Sequence, residues 1–93
     1  MFIILAYDIS MDENGRRNLT KVFKICKQYL YHCQNSVFIG ELKPILLEEL
    51  KCKLTPHIRQ ETDNLLIFSI RSNKAVKQYF LGNNCLQIVK NII

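Results

Sequence analysis

Phe2-Ile3-Ile4-Leu5-Ala6-Tyr7-Asp8 is the stretch on which the reading of this chain turns. Six apolar residues run without a polar break and stop at a carboxylate. Their β-branched and aromatic content favours a strand over a helix. A continuous apolar run, rather than an alternating one, implies that both faces of that strand are covered and that it lies inside a sheet.

Downstream, Ile9 to Glu13 reads as a loop. Ser10 and Glu13 have capping-box spacing, with Asp12 and Asn14 as alternative caps. Leu19, Val22, Phe23, Cys26, Tyr29 and Leu30 then recur at helical spacing. Lys21, Lys24 and Lys27 fall on the opposite side, and Arg16 and Arg17 lie in the first turn. Arginines at a helix N-terminus oppose the helix dipole, a cost that phosphate binding would explain. A second strand is expected over Asn35 to Leu42. A second helix carries Leu46, Leu47, Leu50 and Leu54, starting near Pro44 and ending at Thr55-Pro56. Asp63-Asn64 marks a turn and Leu65 to Ile70 a further strand. Asn73 is expected to cap a short helix with Val76, Tyr79 and Phe80, stopped by Gly82-Asn83-Asn84, with a last strand from Cys85 to Val89. We read the order as βαββαβ: one ferredoxin-like α/β (α+β) domain over residues 1–93, with both helices on one face of an antiparallel sheet. The first strand and the Leu65–Ile70 strand are expected at its centre. The other sheet face is then expected to be covered by a second copy, giving a two-fold homodimer.

Composition agrees with such a dimer. In 93 residues, 48% are hydrophobic and 23% charged, more apolar surface than so small a domain buries alone. The net charge is +5, and from Asn14 to Gly40 there is no acid but five bases, Arg16, Arg17, Lys21, Lys24 and Lys27. A one-signed stretch of this kind attracts polyanions, or is simply a solvated helix face. Four cysteines and two histidines form no zinc-ligand spacing. The apolar start is too short for a signal peptide and no run approaches membrane-spanning length. The cysteines are therefore expected as thiols in a cytoplasmic protein with no membrane partner.

Asp8 is the sharpest chemical signal. A carboxylate ending an apolar strand either makes a turn or serves a site. In a two-fold dimer with facing sheets, two copies of Asp8 could approach, and close carboxylates need a proton or a cation between them. Mg²⁺ or another divalent cation suits such oxygens and could activate a water toward a phosphoryl group. Ser10 is placed to hydrogen-bond a metal water or a phosphate. No Ser/His/Asp triad can be assembled, and Leu65 to Ile70 lacks the aromatic pattern of an RNA-recognition motif.

Tyr7-Asp8-Ile9-Ser10, Gly15-Arg16-Arg17, Lys21-Val22-Phe23-Lys24, Gln34-Asn35-Ser36-Val37-Phe38, Gly40-Glu41-Leu42 and Arg71-Ser72 together resemble the Cas-two family of CRISPR-associated proteins, over nearly the whole chain. The resemblance implies a ferredoxin-like homodimer acting in spacer acquisition, bridging subunits of the larger adaptation integrase. It implies Asp8 and its symmetry mate as a metal-dependent endonuclease site on single-stranded RNA or duplex DNA. It also implies a C-terminal strand, about 85–93, lying against the partner. Arg17 sits where the family carries helix-start arginines. Arg16, Arg17, Lys21, Lys24, Ser10, Asn35 and Ser36 are the expected nucleic-acid contacts, Asn35 and Ser36 either through a phosphate or merely as cross-strand pairs. Ile39 stands where the family often has an acid, and Met11 intervenes before Asp12. A toxin-like ribonuclease of the same fold and a catalytically silent DNA scaffold are the alternative functions.

Overall fold

The structure, a computed structural model, describes residues 1–71. Strand β1 (Phe2–Asp8) is followed by helix α1 (Glu13–Tyr29), strands β2 (Tyr31–Gln34) and β3 (Val37–Glu41), helix α2 (Pro44–Leu54) and strand β4 (Asn64–Ile70). A short 3₁₀ turn, Thr55–His57, continues α2. The expected helix at Asn73 and the strand from Cys85 lie outside the described residues.

The βαββαβ order needs two adjacent strands in its middle, which a single strand over 35–42 does not supply. The structure supplies them as a hairpin. The expected strand starts at Val37 rather than Asn35, and Tyr31–Gln34 forms the strand before it. Asn35 and Ser36 are the turn between them, with Asn35 at φ 38°. Asparagine is one of the few side chains that tolerates that left-handed conformation. The strand centre changes accordingly. The sheet order is β2-β3-β1-β4, entirely antiparallel, so β3 rather than the Leu65–Ile70 segment shares the centre with β1. β4 pairs along all of β1, from Phe2 opposite Ile70 to Asp8 opposite Asn64.

Alternation along β1 separates the two sheet faces. Ile3, Leu5 and Tyr7 point toward the helices and join Val22 and Cys26 of α1, Phe38 of β3 and Leu47, Leu50 and Leu54 of α2 in one core. The stripe read from α1 is therefore a packing stripe, and Cys26 is fully buried within it. Gly40 lets β3 pass close to the end of α1: a Cβ there would come 2.9 Å from Leu30 Cδ2, and the leucine side chain would have to shift. Phe2, Ile4, Ala6 and Asp8 point the other way. They share that face with Ile39 of β3 and with Leu66 and Phe68 of β4; Phe2 and Ile39 are buried there, while Leu66 and Phe68 are each 54% exposed. Asp8 thus sits at the end of an apolar face turned away from the helices, exposed at Leu66 and Phe68 and buried at Phe2 and Ile39.

No helix among the described residues is long and apolar enough to cross a membrane.

Candidate nucleic-acid and metal site

Asp8 is exposed at the last position of β1. Among the described residues its carboxylate forms no ion pair or side-chain hydrogen bond. The loop that follows is held tightly. Asp63, just before β4, accepts the Ser10 amide at 3.0 Å and the Arg59 amide at 2.9 Å. It also accepts Arg59 Nε at 3.2 Å and the Thr62 hydroxyl at 3.2 Å. The side chain of Asp63 is 0% exposed. Burial alone would raise its carboxyl, but the Arg59 guanidinium, the Arg59 and Ser10 amides and the Thr62 hydroxyl outweigh burial and hold it at about 2.

Arg59 carries the same clamp to the helix. Its Nη1 donates to both oxygens of Asp12 at 2.9 Å, and its Nη2 donates to the Ser10 carbonyl at 3.2 Å. Of the possible caps, Asp12 is the one used: it accepts the Gly15 amide at 2.7 Å as the N-cap of α1. That backbone bond, then Arg59, lowers the Asp12 carboxyl below the usual range. The guanidinium of Arg59 is in turn held charged by Asp63 and then Asp12. Gly15 completes the arrangement, since any Cβ there would overlap the Ser10 carbonyl oxygen. The first turn of α1, with Arg16 behind it, is thereby seated on the loop that carries Ser10.

Two acids near Asp8 are thus committed to a clamp, while Asp8 is left open. Arg59 and Asp63 are the site residues that sequence reasoning missed. Their only local signal was the charge pair spaced four residues apart ahead of a strand.

The turn between β2 and β3 reaches the same end of the sheet, because the Tyr7 amide donates to the Ser36 carbonyl at 3.2 Å. Asp8, Ser10, Asn35 and Ser36 are therefore brought together around the end of β1. The basic residues of α1 divide. By their three- and four-residue spacing, Arg16, Thr20, Phe23 and Lys27 share the flank facing this turn, and Arg17, Lys21 and Gln28 lie on another, with Lys24 between. Arg16, Arg17, Lys21 and Lys24 are all exposed, and none pairs with a described carboxylate. The contrast with α2 is plain. There Lys51 pairs with Glu48 at 3.0 Å and Lys53 with Glu49 at 3.5 Å.

No group of three His, Cys, Asp or Glu side chains able to hold a metal ion occurs among the described residues. A cation at Asp8 would need a further ligand from outside this set.

Residues 1–78 match the family described as CRISPR associated protein Cas2. The chain belongs to that family. It is 44% identical over 82 residues to the CRISPR-associated endoribonuclease Cas2 of Fusobacterium nucleatum subsp. nucleatum, spanning 88% of this chain and 77% of that relative. It is 34% identical over 83 residues to the CRISPR-associated endonuclease Cas2 of Halalkalibacterium halodurans, spanning 88% and 86%. The crystal structure of Streptococcus pyogenes Cas2 superposes with a TM-score of 0.72 at 28% identity, over 86% of this chain and 100% of that one. The family that Tyr7-Asp8-Ile9-Ser10 and its companions resemble is found, and so is the ferredoxin-like fold, with β3 in place of the Leu65–Ile70 strand at the sheet centre.

Proposed function

We propose that the protein serves CRISPR adaptation as a nucleic-acid-binding homodimer that bridges integrase subunits, with metal-dependent phosphodiester hydrolysis at paired Asp8 residues. The observation that carries this reading is the open carboxylate of Asp8 on an apolar sheet face exposed at Leu66 and Phe68, beside a loop that three charged residues hold still. A second copy packed on Ile4, Leu66 and Phe68 buries that face, and a two-fold axis through it brings a second Asp8 toward the first. One carboxylate from each chain suits Mg²⁺, a hard cation that keeps several of its own waters. Such an ion, when bound, supplies an activated water and polarises a phosphoryl oxygen.

The chain's own residues do the rest. Asp8 binds the cation, and the clamp fixes the backbone from which Asp8 and Ser10 project. The Ser10 hydroxyl orients a phosphate oxygen or a water. Arg16 and Arg17 hold the phosphates that flank the reacting one, as free cations on a helix face do. The names carried by the two relatives, endoribonuclease and endonuclease, support hydrolysis of a nucleic acid and leave RNA and DNA both as substrates to test.

A scaffold role is favoured by a separate observation, the bases of α1 that no described carboxylate neutralises. It survives loss of Asp8, whereas hydrolysis does not. The experiment is cleavage of labelled single-stranded RNA and duplex DNA, with Mg²⁺ or EDTA, by the native protein and by Asp8→Ala. Cleavage that needs Mg²⁺ and disappears in the variant is expected. Cleavage unaffected by Asp8→Ala would remove the catalytic assignment. In parallel, Arg16→Ala with Arg17→Ala should reduce the salt slope of binding by roughly 0.7–0.9 per lost phosphate contact. An unchanged slope would remove those residues from the interface.

A further inference from the structure

Between α1 and the β2–β3 turn lies a cleft of about 460 Å³, lined by Tyr7, Leu19, Thr20, Phe23, Asn35 and Ser36. Its size is within the range of about 300–1,000 Å³ usual for small-ligand sites. The walls are chiefly apolar. Phe23 stands edge-on to Phe38 with centroids 5.6 Å apart and edge-on to His32 at 4.9 Å, so its ring is fixed by two neighbours. Lys27 Nζ lies 5.5 Å from the Phe23 centroid, putting a cation beside the ring.

Three of the residues that line the cleft carry a polar group with no hydrogen-bond partner among the described residues. Among the described residues, the Asn35 carboxamide, the Ser36 hydroxyl and the Tyr7 hydroxyl form no hydrogen bond, although Tyr7 is only 6% exposed. The Asn35 backbone is fixed meanwhile, because His32 Nε2 lies 2.7 Å from its carbonyl oxygen. An aromatic wall, unpaired amide and hydroxyl groups, and a lining free of acids make a defined combination. It fits a flat heterocycle with hydrogen-bonding edges, attached to an anion.

We infer that this cleft receives one unstacked nucleobase of a single-stranded segment, while the phosphates on either side run along Arg16, Lys24 and Lys27. This rests on the nucleic-acid-binding reading above and deepens it, since a paired and stacked duplex does not offer a base to such a cleft. The base packs against the Phe23 ring, and Asn35 and Ser36 meet its edge. Aromatic packing of that kind tolerates any base. The cleft therefore selects for strandedness ahead of sequence. Tyr7 lines the cleft from the helix side of the sheet, whereas Asp8, the next residue, points to the opposite face, so the captured base lies near the end of β1 but not against the carboxylate.

The test is equilibrium binding in EDTA, where no cleavage intervenes. Three probes are compared: a single strand, an abasic phosphodiester strand of equal length and charge, and a duplex. The native protein is expected to bind the base-bearing strand about tenfold more tightly than the abasic one. Phe23→Leu keeps an apolar wall but removes the ring, and is expected to bring that ratio close to one. Asn35→Gly retains the turn, because glycine accepts its positive φ, and is expected to lower the ratio by about threefold. Phe23→Leu should bind the abasic strand and the duplex as the native protein does, which also shows that it folds. Equal binding of the two single strands by the native protein, or a full tenfold ratio in Phe23→Leu, would overturn the inference. Running the strands with ribose and with deoxyribose identifies which nucleic acid supplies the base. Cleavage at Asp8 without base discrimination refutes the cleft alone, and base discrimination without cleavage refutes the nuclease alone.

Discussion

Replacing Asp63 with asparagine changes one atom in shape and nearly everything in hydrogen bonding. Oδ1 accepts from the Ser10 amide at 3.0 Å, the Thr62 hydroxyl at 3.2 Å and Arg59 Nη2 at 3.3 Å. Oδ2 accepts from the Arg59 amide at 2.9 Å and Arg59 Nε at 3.2 Å. Whichever way the carboxamide turns, its NH₂ faces at least two N–H donors, and only the Thr62 hydroxyl on the Oδ1 side could turn to accept from it. Each buried donor left unsatisfied costs about 1–3 kcal/mol. With the neutralised charge also lost from Arg59, Asp63→Asn is expected to cost roughly 3–5 kcal/mol. A small domain has only about 5–15 kcal/mol in all. At about 4–8 °C per kcal/mol, the thermal midpoint should fall by at least about 12 °C. The assay is thermal and urea denaturation followed by circular dichroism, with hydrogen exchange at the Ser10 and Arg59 amides as the local probe. A variant within about 1 kcal/mol of the native protein, with both amides still protected, would refute the reasoning, because the carboxylate would then not be what holds this loop.

Acid should act through the same group. The Asp63 carboxyl is depressed in the folded state, so its stabilisation is complete above the ordinary carboxylate pKa and is lost as pH falls toward 2. Native stability is expected to decline from about pH 5 downward, and more gently in Asp63→Asn; parallel curves would contradict the assignment. Gly15→Ala should destabilise by about 3 kcal/mol or more, since the new methyl group overlaps the Ser10 carbonyl and the loop must move; an unchanged urea midpoint would show that the loop yields freely. Cys26, buried with its thiol pushed up to about 12, should resist a thiol reagent that modifies exposed Cys52 at once. Mass mapping of the modified protein checks this, and equal rates at the two would mean that α1 does not stay packed.

Both helices and the first strand were legible because each contributes a periodic or continuous apolar signal. Pro44 and the Thr55-Pro56 pair even bound the second helix correctly. β2 was not legible because Tyr31-His32-Cys33-Gln34 is an edge strand with a mixed pattern, and its signal lay instead in the turn that follows. Asn35 was taken into a strand, whereas its tolerance of positive φ makes it the turn itself. Asp8 was visible as a polar full stop to an apolar run. The Arg59–Asp63–Asp12 clamp was hidden because it joins residues 47 to 53 positions apart, and no local pattern encodes such a contact. The splitting of the basic run into two rows could have been drawn from spacing alone, once Phe23 and Thr20 were recognised as the cleft side of α1.

The distance along the chain between the two halves of the clamp also sets an order of events during synthesis. Ser10 leaves the ribosome well before the partner that fixes it, Asp63, which follows 53 positions later. Helix α1 and the β2–β3 hairpin consist of short-range contacts and can form as they emerge; closing so long a loop is entropically slower. The loop after β1 is thus made well before the residue that orders it. Substitutions at Asp63 should accordingly accelerate unfolding while leaving the folding rate almost untouched, and a matching loss in folding rate would place the clamp in the nucleus instead.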